Sequence, residues 1–119
     1  MLASVTSILL MASTTQAAGR YAGTATFYGT NTGPDACTGK NHKSTDYFVA
    51  LHPAMYKNGQ NCGKKIIVTG VKSKKTITVT VVDECPTCGK STDLDFTEGA
   101  FKNFATLNDG TAQIQWNFI

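Results

Sequence analysis

The sequence predicts an all-β fold, a small closed barrel of short strands, on three observations. Residues 76–82 (TITVTVV) form a β-branched run alternating polar and apolar, which on a period of two places Ile77, Val79 and Val81 on one buried face. Further short apolar segments recur along the chain, divided by Gly, Asn, Asp and Pro. Helical patterns are few, and closing many short strands into a barrel removes exposed sheet edges. At 119 residues the chain holds one domain with one modest core, and therefore one site or at most two.

The chain opens on MLASVTSILLMASTTQAAG, which has no charged residue, an apolar centre at residues 5–11 and small residues ending in Thr15-Gln16-Ala17. This is the pattern of a secretory signal, so residues 1–18 are expected to be a signal peptide and residues 19–119 the domain. The alternative is an apolar N-terminal helix retained in the mature protein. The apolar centre is much shorter than the roughly 20 residues of a membrane span. A secreted, extracellular protein with no membrane partner is expected.

Short strands follow at residues 24–28 and 47–51. Pro53 starts one short helical turn over residues 53–57, because proline is tolerated at the first helical position. Residues 65–69 (KIIVT) and 76–82 face each other across residues 70–75 as an antiparallel hairpin. Residues 97–105 (TEGAFKNFA) read as a short helix with Thr97 as N-cap and with Phe101 and Phe104 sharing an inward face. Residues 112–118 (AQIQWNF) close the chain as a strand, in which Trp116 is assigned to core packing ahead of ligand stacking.

The net charge of +3 comes mostly from lysines at positions 64, 65, 72, 74 and 75 beside the hairpin turn. Lysines flanking strands are solvated edge charges. Aromatic and basic residues do not interleave as a base-stacking groove requires, so no nucleic-acid partner is expected.

Four cysteines behind a secretory signal favour two disulfides, and three pairings are arithmetically open. Cys85-Pro86-Thr87-Cys88 has the spacing of half a zinc site or of a redox pair. Zinc normally takes four ligands, whereas Cys37 and Cys62 stand alone and His42 and His52 lack a paired spacing. A redox pair needs a strand-to-helix turn with a lowered thiol pKa, which an all-β pattern does not supply. Neither metal nor cofactor is expected.

The stretch Val81-Val82-Asp83-Glu84 through Asp93-Leu94-Asp95-Phe96 carries four carboxylates. Asp83 ends the strongest strand, and Asp95 lies just before the helix near Thr97. Carboxylates at such ends can converge over one groove, where repulsion and partial burial raise one pKa and keep a proton available. The plainer reading of Asp95 is a helix cap or dipole partner.

Gly23-Thr24-Ala25-Thr26-Phe27-Tyr28-Gly29, Ala36-Cys37, Val49-Ala50-Leu51, Asn61-Cys62-Gly63-Lys64, Val81-Val82-Asp83, Leu94-Asp95-Phe96, Ala100-Phe101 and Ile114-Gln115-Trp116 follow one another in an order that resembles the expansin-like, barwin-related double-psi β-barrel proteins. Rare lipoprotein A and the single-domain fungal loosenins belong to the same broad group. The resemblance implies a six-stranded double-psi β-barrel with one or two short helices and a polysaccharide-binding groove. It implies that Asp95 holds the position of the family's acid, with Asp83 the strand-end aspartate beside it and Tyr28 the groove tyrosine. Thr26 and Asp93 join Tyr28 as expected substrate-binding residues. It also implies that Cys37 pairs with Cys62 and Cys85 with Cys88. The longer bridge would then contribute on the order of 3 kcal/mol in the chain-entropy model.

The sequence departs from the pattern in three places. Family 45 glycoside hydrolases carry a second aspartate as base after the first-strand aromatic pair, but here Tyr28 is followed by Gly29 and Thr30. Inverting hydrolysis needs two carboxyl groups roughly 6.5 to 9.5 Å apart; Asp83 is a possible substitute, but the expected base is absent, so ordinary cellulase activity is not expected. Asp93 replaces the expansin histidine before the acid, and Cys85 replaces a bacterial-expansin tyrosine. The leading expectation is a monomeric, secreted expansin-like protein that binds and loosens cell-wall polysaccharide (cellulose, chitin or peptidoglycan) without hydrolysis. Two alternatives stand beside it: a cysteine-protease inhibitor or secreted effector acting through barrel loops, and a lytic transglycosylase acting on peptidoglycan.

Overall fold

The computed structural model describes residues 20–30 and 32–119. The expected signal peptide at residues 1–18 lies outside the described residues. Six strands, β1 (Tyr21–Phe27), β2 (Phe48–Leu51), β3 (Lys65–Gly70), β4 (Thr76–Glu84), β5 (Leu94–Phe96) and β6 (Ala112–Phe118), close into a barrel in the order β1-β5-β2-β4-β3-β6. Two pairs are parallel, β1 with β5 and β2 with β4, and the other four are antiparallel. The helices are α1 (Pro53–Tyr56) and α2 (Glu98–Phe101).

The hairpin and the last strand stand where the sequence puts them. Val79 and Val81 are fully enclosed and Ile77 is half-buried. Trp116 is fully enclosed as well, and its indole N–H donates to the Thr92 carbonyl at 2.9 Å. Tyr21, at the start of β1, packs on Trp116 with ring centroids 4.6 Å apart, and Phe27, at its end, packs on Phe101 at 4.8 Å. His52 caps α1, its Nδ1 accepting from the Ala54 N–H at 3.0 Å.

Three elements differ from expectation. β5 is a strand of three residues, too short to show a period of its own, inserted between β1 and β2. The helix at 97–105 shrinks to α2, after which Asn103 and Phe104 bond to carbonyls only three residues back. Phe101 and Phe104 nevertheless share the buried face, with centroids 5.4 Å apart. Thr97 occupies the N-cap position but makes no capping bond. It is completely buried, and its hydroxyl donates to the Asp46 carbonyl and accepts from the Phe48 N–H, tying the entry of β2 to the exit of β5.

Both disulfides form, Cys37 with Cys62 and Cys85 with Cys88. The first ties the segment after β1 to the turn before β3, and the second closes the loop that leaves β4.

Candidate functional site

Strand register brings the sequence-predicted acids together. Thr26 pairs with Asp95 across β1 and β5, Asp95 with Ala50 across β5 and β2, and Ala50 with Asp83 across β2 and β4. Directly opposed residues project to the same side of a sheet. Thr26, Asp95, Ala50 and Asp83 therefore form one row over four strands, facing away from the core filled by Ala25, Val49, Leu51, Leu94 and Phe96. The two aspartates stand two strand spacings apart, about 10 Å between backbones, with the small Ala50 side chain between them.

Each acid is held by different partners. Asp95 Oδ1 accepts from the Thr26 hydroxyl at 2.8 Å. Burial raises its pKa, the Thr26 bond lowers it, and the charge of Asp83 raises it again, leaving a net increase above the usual carboxylate range. Asp83 Oδ1 accepts two backbone N–H groups, from Ala36 and Glu84, both at 2.9 Å. Asp93 spends both oxygens on backbone: Oδ1 takes the Thr24 N–H and Oδ2 the Lys90 N–H, each at 2.9 Å. It clamps the loop entering β5 onto β1.

Tyr28 leaves the end of β1 with its N–H donated to the Phe96 carbonyl at 3.0 Å. Burial pushes its phenol far above the ordinary tyrosine range, and the charges of Asp83, Asp95, Asp35 and Asp46 push the same way. The hydroxyl therefore keeps its proton. Cys85 donates its N–H to the Leu51 carbonyl at 2.7 Å, so the short bridge to Cys88 is seated beside the end of β2.

The structure adds two residues that the sequence reading did not select. His42 Nε2 lies 3.1 Å from the Tyr28 hydroxyl, and Asp35 faces the other ring nitrogen. Nothing in local spacing marks either residue, because their meeting depends on how residues 32–46 fold back over β2 and β4. That segment borders an open hollow of about 420 Å³ whose lining includes Asp35, His42, Asp46, Phe48 and Val82. Among the described residues no group of three or more His, Cys, Asp or Glu side chains is arranged to hold a metal ion. No helix among them is long and apolar enough to cross a membrane.

The double-psi β-barrel family described as lytic transglycolase matches residues 48–116, more than half of the chain. The chain belongs to this family. An EG45-like domain containing protein of Citrus jambhiri is 31% identical over 105 residues, covering 80% of this chain and 79% of that protein. The ripening-related protein grip22 of Vitis vinifera is 40% identical over 53 residues, 44% of this chain, but the match spans only 24% of grip22. Among solved structures, the apo Clavibacter michiganensis expansin superposes with a TM-score of 0.72 at 29% identity, over 83% of this chain and 50% of that one. A mutant of the same expansin was solved in complex with cellohexaose, and it superposes at a TM-score of 0.73 and 27% identity, with the same coverage of both chains. The Streptomyces papain inhibitor superposes at 0.69 and 28% identity, over 85% of this chain and 96% of the inhibitor. The closed six-stranded barrel is thus the double-psi fold of the expansins.

Proposed function

We propose that this chain is a secreted expansin-like protein that binds cell-wall polysaccharide in the groove over Thr26, Asp95, Ala50 and Asp83 and loosens it without hydrolysis. The observation that carries the reading is the row itself, two carboxylates and a hydroxyl aligned across four strands on an outward face. An extended row suits an extended ligand. Asp95 hydrogen-bonds sugar hydroxyls, Thr26 sets the orientation of its carboxyl, and Tyr28 adds a hydroxyl at the end of β1. Asp83 raises the proton affinity of Asp95, while Asp93 acts indirectly by holding the β5 loop in place.

Hydrolysis is disfavoured because Gly29 and Thr30 stand where a family 45 base would follow Tyr28, and because Asp83 is turned into a loop anchor. Binding competes with contacts between polymer chains, and this loosens them without cutting a bond. Residues 1–18 are read as the export signal and 19–119 as the functional domain. The cellohexaose complex of the expansin neighbour supports a glucan-type ligand.

A second reading has one specific support. The barrel aligns with nearly the whole of the papain inhibitor but with half of the expansin, so the inhibitor's fold is matched throughout. The deciding experiment is Asp95→Asn, assayed by retention on microcrystalline cellulose, colloidal chitin and peptidoglycan and by inhibition of papain. The groove reading expects a 10- to 100-fold loss of retention, about the value of a hydrogen bond to a charged group, with the fold intact. Papain inhibition unaffected by the substitution, together with no retention of the wild type on any glycan, replaces it with the inhibitor reading. Sustained release of new reducing or anhydro ends from any of these polymers overturns the non-hydrolytic assignment in favour of a transglycosylase or hydrolase.

A further inference from the structure

Beyond the row of groove residues, the Tyr28 phenol meets a buried His–Asp pair. His42 Nε2 lies 3.1 Å from the phenolic oxygen, and Nδ1 faces Asp35 Oδ2 at 3.6 Å, with the His42 and Asp35 side chains each only 4% exposed. The Nδ1 contact is longer than a hydrogen bond, and among the described residues Nδ1 has no hydrogen-bond partner. A neutral imidazole carries its proton on one nitrogen or the other. A bare Nδ1 would aim a lone pair at a carboxylate oxygen 3.6 Å away, which is repulsive, whereas a proton on Nδ1 makes the contact attractive. Nε2 is then an acceptor, and the donor in front of it is the Tyr28 O–H.

We propose that Asp35 and His42 are positioning residues for Tyr28: they draw its phenolic hydrogen bond away from the groove, so that the phenolic oxygen meets a polysaccharide hydroxyl as an acceptor. This rests on the groove reading given above.

The surroundings fit that role. Asp35 Oδ1 accepts from the Thr38 N–H at 2.6 Å and from the Thr38 hydroxyl at 2.7 Å. Burial alone would raise the Asp35 carboxyl, but the Thr38 side-chain and backbone bonds, the facing His42 and the Gly39 N–H together hold it below the usual range. Asp35 is thereby kept as the anion that His42 needs. The Thr32 hydroxyl donates to the His42 carbonyl at 2.8 Å, which fixes the backbone behind the ring. The residue after Asp35 donates its N–H to Asp83. One loop thus carries the pair and also grips a groove acid.

The test has two arms. In the first, the imidazole nitrogens of the ¹⁵N-labelled protein are assigned by NMR with no glycan present. The expected result is a His42 protonated on Nδ1, with an Nε2 resonance that shifts in Tyr28→Phe. A proton on Nε2 in the wild type overturns the proposal. In the second arm, retention on cellulose, chitin and peptidoglycan is compared across variants. His42→Leu and Tyr28→Phe are each expected to bind about five-fold more weakly, the effect of one hydrogen bond. His42→Gln, whose amide oxygen can accept the phenolic proton, should restore binding to within about two-fold. Tyr28→Phe/His42→Leu should be no weaker than Tyr28→Phe alone, because His42 acts through the phenol. Multiplying losses in that double variant overturn the positioning role. Should Asp95→Asn leave retention unchanged, the groove reading fails while the NMR arm still decides whether the pair orients Tyr28.

Discussion

Gly23→Ala tests how the sequence builds the end of the barrel that carries Asp95. Gly23 pairs with Ile114 in β6, and a Cβ placed on it would stand 2.1 Å from the Thr92 carbonyl oxygen and 2.7 Å from the carbonyl carbon. Both are backbone atoms, so no side chain can rotate away. That carbonyl accepts the hydrogen bond of the buried Trp116 indole, and the Thr92 hydroxyl donates to the Ala22 carbonyl at 2.7 Å. Forcing Thr92 outward leaves the indole N–H unsatisfied, at about 1–3 kcal/mol. Overpacking costs a further 1–3 kcal/mol or so. The expected destabilisation is about 2–6 kcal/mol, and with roughly 4–8 °C per kcal/mol for a domain of this size the melting temperature should fall by at least about 8 °C. Denaturant and thermal unfolding measure it. A Gly23→Ala protein within about 1 kcal/mol of wild type would refute the argument that the missing side chain makes room for Thr92.

Asp95→Asn is expected to stabilise the fold near neutral pH. The folded-state pKa of Asp95 is raised, so the protonated form is favoured on folding and the contribution is lost as pH rises through the folded value; the gain from Asn should therefore shrink towards about pH 3, where the Asp95 carboxyl itself is protonated, as unfolding curves at the two pH values would show. Replacing Cys37 and Cys62 by Ala should cost about 3.5 kcal/mol for a sequence separation of 25, against about 1.6 kcal/mol for the bridge between Cys85 and Cys88 with its separation of 3, in the loop-entropy model and by urea unfolding. Thr97→Val keeps the volume but removes the acceptor of the Phe48 N–H, and a loss of about 1–3 kcal/mol is expected in the same assay.

What was legible in the sequence follows from the range of each signal. Period-two alternation is local, and β3, β4 and β6 could be read from it. β5 could not, since three residues hold no period and its pairing with β1 and β2 is set by register at long range. Asp95 and Asp83 could be picked out because the family motifs contain them, although Asp95 proves to be the middle residue of β5 and not a residue before a helix. Asp35 and His42 were not, because their chemistry arises only when residues 32–46 fold over the barrel. Thr97 looked like a cap by residue type and position, yet tertiary demand for a buried hydroxyl at the β2 entry overrode that local preference.

The placement of Asp83 shows how these long-range terms act together. Val79 and Val81 point into the core, and unbroken alternation would carry Asp83 to the same side, where an unpaired carboxylate costs several kcal/mol. β4 avoids this by a register shift: Val81 pairs with Val49, but Ala50 pairs with Asp83, leaving Val82 as the extra residue of a bulge. The shift reverses the phase of the strand and turns Asp83 into the row with Asp95. A bulge frees backbone groups, and here the Val82 carbonyl accepts the Cys37 N–H at 3.0 Å while Asp83 takes the Ala36 N–H. Cys37 is in turn bonded to Cys62. The disulfide, the bulge and the orientation of the acid are thus one construction, in which the bridge holds the loop that satisfies the bulge and the bulge aims the carboxylate. Cleaving the bridge should accordingly loosen Asp83 and lower the pKa of Asp95, whose proton affinity that neighbouring charge raises, before it unfolds the barrel.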